Sequence, residues 1–162
     1  MSYPEPRYFG EGGEPTATER PSTAPPDLVM PNTDVHYLAT GSTTGGDFGL
    51  YRWEMAAAPG GPAPHFHRTI TESFYVLEGT VRLYNGRTWV EATPGDFHFV
   101  PAGGIHAFRN ESGAPATMLL LFTPGAPREA YFEGLAELAT SGRQLGPEEM
   151  TEFLRRHDQY MV

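Results

Sequence analysis

Three histidines and one glutamate stand out by type and spacing: His65, His67, Glu72 and His106. The tripeptide His65-Phe66-His67 reads as β-strand, where side chains alternate with period two, so both imidazoles fall on one face; a helix would splay them apart. Glu72 opens the stretch Glu72-Ser73-Phe74-Tyr75-Val76-Leu77, which is too apolar to house a carboxylate unless that residue lies at a strand end or binds something. Such a site leaves room for water or substrate, as a catalytic metal centre needs. The chain has no cysteine, so any metal must be held by nitrogen and oxygen, and disulfide, thiolate and iron–sulfur chemistry are excluded. Every basic residue is arginine, which also excludes Schiff-base and P-loop lysine chemistry.

Short β-strands must position these residues. From Val35 to Thr123 aromatic and β-branched stretches alternate with Gly, Pro and Asn, which predicts strands at Val35–Thr40, Phe48–Ala57, Ser73–Leu77, Thr80–Tyr84, Thr88–Ala92, Asp96–Val100, His106–Asn110 and Ala116–Phe122. Asn85-Gly86 between two of them signals a type I′ hairpin. Many short strands with no helix between them predict an all-β barrel or jelly roll. Beyond Pro127, Tyr131, Leu135 and Leu138 share a helical face that stops at Gly142, and a second helix starts at Pro147. Residues 1–26 form a Pro/Gly-rich flexible arm, 27–126 the β-barrel, and 127–162 a helical segment packing on it. Tyr3, Tyr8 and Phe9 suit an arm that docks on its own or a partner subunit.

A chain of 162 residues with 39% hydrophobic content can bury a core without metal or disulfide staples. The net charge of -9 argues against nucleic acid and anionic membrane surfaces as partners. No apolar run approaches the ~20 residues of a membrane helix, and acidic residues and prolines replace the basic and apolar regions of a signal peptide, so a cytoplasmic, soluble protein is expected. His98 reads as structural, and His36 and His157 as structural or solvated. Trp53, Tyr75, Phe97, Phe99 and Phe108 read as core, with one or two of them also lining a pocket, and Met118 and Leu119-Leu120-Leu121 read as core strand. Arg52, Arg68, Arg82, Arg87 and Arg109 form no cluster, which weighs against a phosphosugar pocket.

The four residues also belong to a longer pattern. His65, His67, Glu72 and Gly79 are followed by Gly95, Pro101, Gly103, His106 and Asn110, and in all nine positions and their spacings the sequence resembles the two motifs of the cupin superfamily. One departure occurs: the glycine expected at Pro59 is shifted to Gly60-Gly61. The resemblance implies a double-stranded β-helix, or jelly-roll β-barrel, from about Val35 to Phe122. It makes His65, His67, Glu72 and His106 the ligands of one divalent transition metal per chain, with Fe, Mn, Ni or Co ahead of Zn or Cu. Thr43-Thr44-Gly45-Gly46-Asp47-Phe48, the stretch from Glu72 to Gly79 and the tail Phe132-Glu133-Gly134-Leu135-Ala136-Glu137-Leu138 are similar to bacterial quercetin-dioxygenase-like cupins. That likeness implies a small aromatic or enolic substrate, dioxygen as co-substrate, and Glu72 as catalytic proton acceptor. Two alternatives stay open: an oxygen-independent isomerase, cyclase or hydrolase using the same metal, and a non-catalytic metal- or small-molecule-binding module. Open sheet edges and the arm predict a homodimer.

Overall fold

The computed structural model describes residues 2–162. One antiparallel sheet takes its strands in the spatial order β1 (Leu28–Met30), β2 (Thr33–Ala39), β3 (Gly49–Met55), β10 (Ala116–Thr123), β5 (Thr71–Glu78) and β8 (Phe97–Val100). A second sheet comprises β7 (Trp89–Ala92), β6 (Val81–Tyr84) and β9 (Ala107–Arg109), and a short ribbon pairs β4 (His65–Phe66) with β11 (Tyr160–Met161). Two helices, α1 (Arg128–Ser141) and α2 (Pro147–Arg156), lie between β10 and β11 in the chain.

Period-two alternation builds the core. Tyr51, Trp53 and Met55 of β3 and Ala116, Met118, Leu120 and Phe122 of β10 are buried, while the residues between them are only half-buried. The two sheets meet through aromatic rings: Phe108 of β9 lies 5.8 Å from Phe74 and 6.1 Å from Trp53. Helix α1 closes the third side, with the Phe132 ring 5.2 Å from Tyr51 and 5.1 Å from Trp53 in edge-on contacts. It stops at Gly142, while α2 begins on Pro147 with Glu148 and Glu149 in its first turn, both favourable at the positive end of a helix dipole. Two glycines are sterically required. Gly79 has φ +73° and Gly61 has φ +143°, where an added Cβ would run into the Pro115 and Phe108 carbonyl oxygens respectively.

Several expectations need correction. Tyr75, Phe97 and Phe99 are exposed, by 41%, 64% and 56%. In the register Phe74 faces His98, so alternation sends Phe74, His98 and Val100 inward and the neighbouring aromatics out, along edge strand β8. The hairpin at Asn85-Gly86 is real, but its loop runs from Asn85 to Thr88, and Asn85 does not adopt positive φ. Instead the Asn85 side-chain oxygen accepts hydrogen bonds from the Arg87 and Thr88 amides, which makes an Asx-type turn. Strand β4 covers the first two residues of the expected His65-Phe66-His67 strand, whereas β1 and β11 were not expected: at two or three residues each they are too short to show a period. Residues 2–26 form neither helix nor strand, and Tyr3 and Phe9 point into solvent. Among the described residues no helix is long and apolar enough to cross a membrane.

Candidate metal centre

The four residues singled out by spacing converge. One side-chain donor atom from each of His65, His67, Glu72 and His106 lies within 4.8 Å of the other three, and all four residues are buried. His65 comes from β4, Glu72 from near the start of β5, and His106 immediately precedes β9. A reciprocal bridge, with each of His65 and His106 donating its amide to the other's carbonyl at 2.9–3.0 Å, ties the two motifs together.

Backbone carbonyls set the imidazoles. The Nδ1–H groups of His65, His67 and His106 donate to the carbonyls of Ala63 (2.8 Å), Asp158 (2.6 Å) and Gly104 (2.9 Å). With Nδ1 protonated, each neutral ring presents a bare Nε2 lone pair. For His67 and His106 that nitrogen lies 3.1 and 2.8 Å from the same carboxylate oxygen, Glu72 Oε2. Lone pairs facing a carboxylate repel, so the cluster requires a cation, either a proton or a metal ion. The donor set therefore fits a divalent transition metal, with a carbonyl already fixing each imidazole from behind.

The electrostatics agree. Burial alone would raise the Glu72 carboxyl, but its contacts with His106 and His67 outweigh it and hold the group below the usual carboxylate range. His65 is pushed down to about 4, first by burial and then by His106, so it stays neutral at pH 7. Burial opposes the charged form of His106 as well, yet its bond to Glu72 prevails and raises it above the ordinary histidine value. In the metal-free cluster His106 thus holds its proton more tightly than an ordinary histidine.

His65 and Glu72 form part of the wall of a cavity of about 360 Å³, the size of a small-molecule site. The wall is largely apolar, with Trp53, Phe108, Phe122 and Phe132 among its rings. Trp53 and Phe108 are thus both core and lining. His98 lies behind Phe74, with ring centroids 6.1 Å apart, and is not part of the wall. His36 is buried beside Arg52, and His157 caps α2.

Spacing did not reveal the part played by the C-terminal tail. Besides the Asp158 carbonyl that orients His67, the Asp158 carboxylate accepts hydrogen bonds from the Arg68 and Thr69 amides and the Thr69 hydroxyl. These bonds fasten the loop between β4 and β5. The arginines at 52, 68, 82, 87 and 109 stay off the cavity wall, but Arg128, at the start of α1, is on it and 4% exposed. A signal for it exists in the sequence: a cation in the first turn of a helix faces the positive end of the dipole, so its placement there wants a reason.

A model of the cupin domain family matches residues 52–122, the span from β3 to β10 that carries all four residues of the cluster. The matched span is a cupin domain. This cupin is 34% identical over 73 residues to quercetin 2,3-dioxygenase from Bacillus subtilis (strain 168), a match covering 45% of the chain and 21% of that enzyme. It thus spans about a fifth of the length of that relative. Among solved structures, KdgF from a Halomonas species superposes with a TM-score of 0.57 at 17% identity, over 65% of this cupin and 91% of that chain, a likeness of fold alone. The polyketide cyclase RemF from Streptomyces resistomycificus superposes with a TM-score of 0.50 at 28% identity, over 57% and 65% of the two chains. The double-stranded β-helix expected from the motifs is the observed fold.

Proposed function

We propose that this cupin is a dioxygenase of a small aromatic or enolic, flavonol-like molecule, with one divalent first-row metal held by His65, His67, Glu72 and His106. The observation that carries the reading is the buried three-imidazole, one-carboxylate cluster opening through His65 and Glu72 onto an aromatic-walled cavity. The local likeness to quercetin 2,3-dioxygenase supports the choice of substrate. When bound, the metal supplies Lewis acidity toward a substrate hydroxyl and brings dioxygen chemistry within reach.

The chain's own residues do the rest. The rings of Trp53, Phe108 and Phe122 exclude water and offer faces to a planar substrate. Both imidazole contacts of Glu72 end on Oε2, which leaves Oε1 to take the substrate proton. A carboxylate held below its usual range is a weak base, so the transfer needs an acidified hydroxyl, consistent with a metal beside it. A second reading, an oxygen-independent cyclase, draws support from the likeness to RemF. We also propose a homodimer, supported by the exposed Phe97 and Phe99 along edge strand β8 and by Tyr75 beside them.

The test combines elemental analysis of the protein purified without added metal with oxygen uptake in the presence of a flavonol. About one Fe, Mn, Ni or Co per chain with uptake supports the dioxygenase; turnover that persists without oxygen moves the assignment to the cyclase reading. His106→Ala is expected to lose the metal while keeping its far-UV circular dichroism, because the core is aliphatic and aromatic. Absence of metal from the wild type, after attempted loading with each of these ions, refutes the centre.

A further inference from the structure

Arg128 is placed against every local preference. It stands at the first residue of α1, where the helix dipole opposes a cation, and it is 4% exposed in a largely apolar cavity wall. Among the described residues no carboxylate lies within ion-pair distance of it. Its Nη1 donates to the His157 carbonyl at 2.7 Å, its Nη2 lies 3.5 Å from Gln159 Oε1, and its Nε is buried without a partner. The rings of Tyr131, Phe122 and Phe132 pack around the guanidinium at 4.4–5.6 Å. A neutral side chain could tie α1 to the tail at lower desolvation cost, so the charge itself needs a counterpart.

The cavity supplies no such counterpart of its own. Among the described residues Glu72 is the one acidic residue on its wall, and that carboxylate is already engaged by His67 and His106. With a divalent ion in place the cluster carries one net positive charge and Arg128 adds another. The cavity of a strongly acidic chain is therefore itself electropositive.

We propose that Arg128 is the anion anchor of the cavity, and that the ligand it serves is a small aromatic molecule bearing a carboxylate. The part of the guanidinium that lines the cavity meets the carboxylate while the aromatic walls hold the ring. This rests on the reading of the cavity as a substrate site and adds aromatic acids to the aromatic and enolic ligands it takes.

The experiment compares benzoate with benzamide, its neutral isostere, by calorimetry on the as-purified protein and again after chelation. Wild type is expected to bind benzoate about ten- to a hundredfold more tightly than benzamide, with the preference persisting after chelation. Arg128→Gln is expected to lose the preference while keeping its affinity for Zn²⁺ and its melting transition, and Arg128→Lys to retain part of it. Equal binding of the two probes by wild type, or an undiminished preference in Arg128→Gln, overturns the proposal. Should Arg128→Gln fail to fold, the chelated wild type decides: a preference that vanishes with the metal belongs to the metal and refutes the anchor. Zn²⁺ titration reads the centre independently, so loss of the anchor and loss of the metal site give different results.

Discussion

Metal binding to this cupin should release the proton that His106 holds against Glu72. The assignment follows from the hydrogen bonds. All three imidazoles keep Nδ1–H committed to backbone carbonyls, so only Nε2 can exchange a proton for a metal. His65, pushed down to about 4, is already bare at pH 7, and Glu72 is ionised because His106 and His67 hold it below its usual range. His106, raised by its bond to Glu72, holds a proton that must leave. Apparent affinity should fall about tenfold, or about 1.4 kcal/mol, for each pH unit below the raised His106 value. Between that value and about pH 4 no second proton from His65 steepens the slope. The sign for folding is opposite: the His106–Glu72 bond stabilises the metal-free protein below the unfolded histidine value, about 6.5, and the contribution disappears as pH rises through the raised one. Calorimetric titration of chelated protein with Zn²⁺, in two buffers of different ionisation enthalpy at pH 6.5, gives the proton count directly. In Glu72→Gln the carboxylate that retains the proton is gone, and the count should drop toward that of an ordinary histidine. A count near zero in the wild type would refute the assignment of tautomers and charges.

Two further perturbations test how the fold supports the site. Phe132→Ala removes a buried ring in edge-on contact with Tyr51 and Trp53 and should cost about 3–5 kcal/mol, read as a lowered urea midpoint. Asp158→Ala removes the acceptor for the Arg68 and Thr69 amides and strains a residue at φ +56°; about tenfold weaker Zn²⁺ binding is expected as His67 loses its fixed carbonyl. Burial acts against ionisation of Asp158, but its bonds from Thr69 and Arg68 win and lower the carboxyl. Its stabilisation is therefore present above the unfolded aspartate value and lost as pH falls through the lowered one. Acid denaturation should accordingly differ less between Asp158→Ala and wild type as the pH drops, and a constant gap would exclude this role.

The strands are legible in the chain wherever one face is buried along four or more residues. Tyr51, Trp53 and Met55, or Ala116 through Phe122, repeat with the period of the pleat, and the observed ends of β3 and β10 lie within two residues of those expected. The same period could not say which face of Phe97-His98-Phe99 turned inward. That depended on the pairing of Phe74 with His98 across two strands, and the aromatic residues were misassigned to the core.

Of the site, motif spacing and alternation brought out the cluster of His65, His67, Glu72 and His106, because its members are anchored to strands whose pleat and turns are local properties. The charge of the cavity was not legible. Arg128 and Asp158 reach the site from α1 and from the turn after α2, and Asp158 bonds to His67 across 91 positions of chain. Those placements come from packing α1 onto Tyr51 and Trp53 and from pairing β11 with β4, contacts whose partners are far apart in sequence and therefore leave no period to read. The amino-acid sequence thus determined which side chains gather into one cluster. Tertiary packing decided which cation faces them and how the tail holds His67, because burial and hydrogen bonding across the closed fold, rather than local conformation, set both.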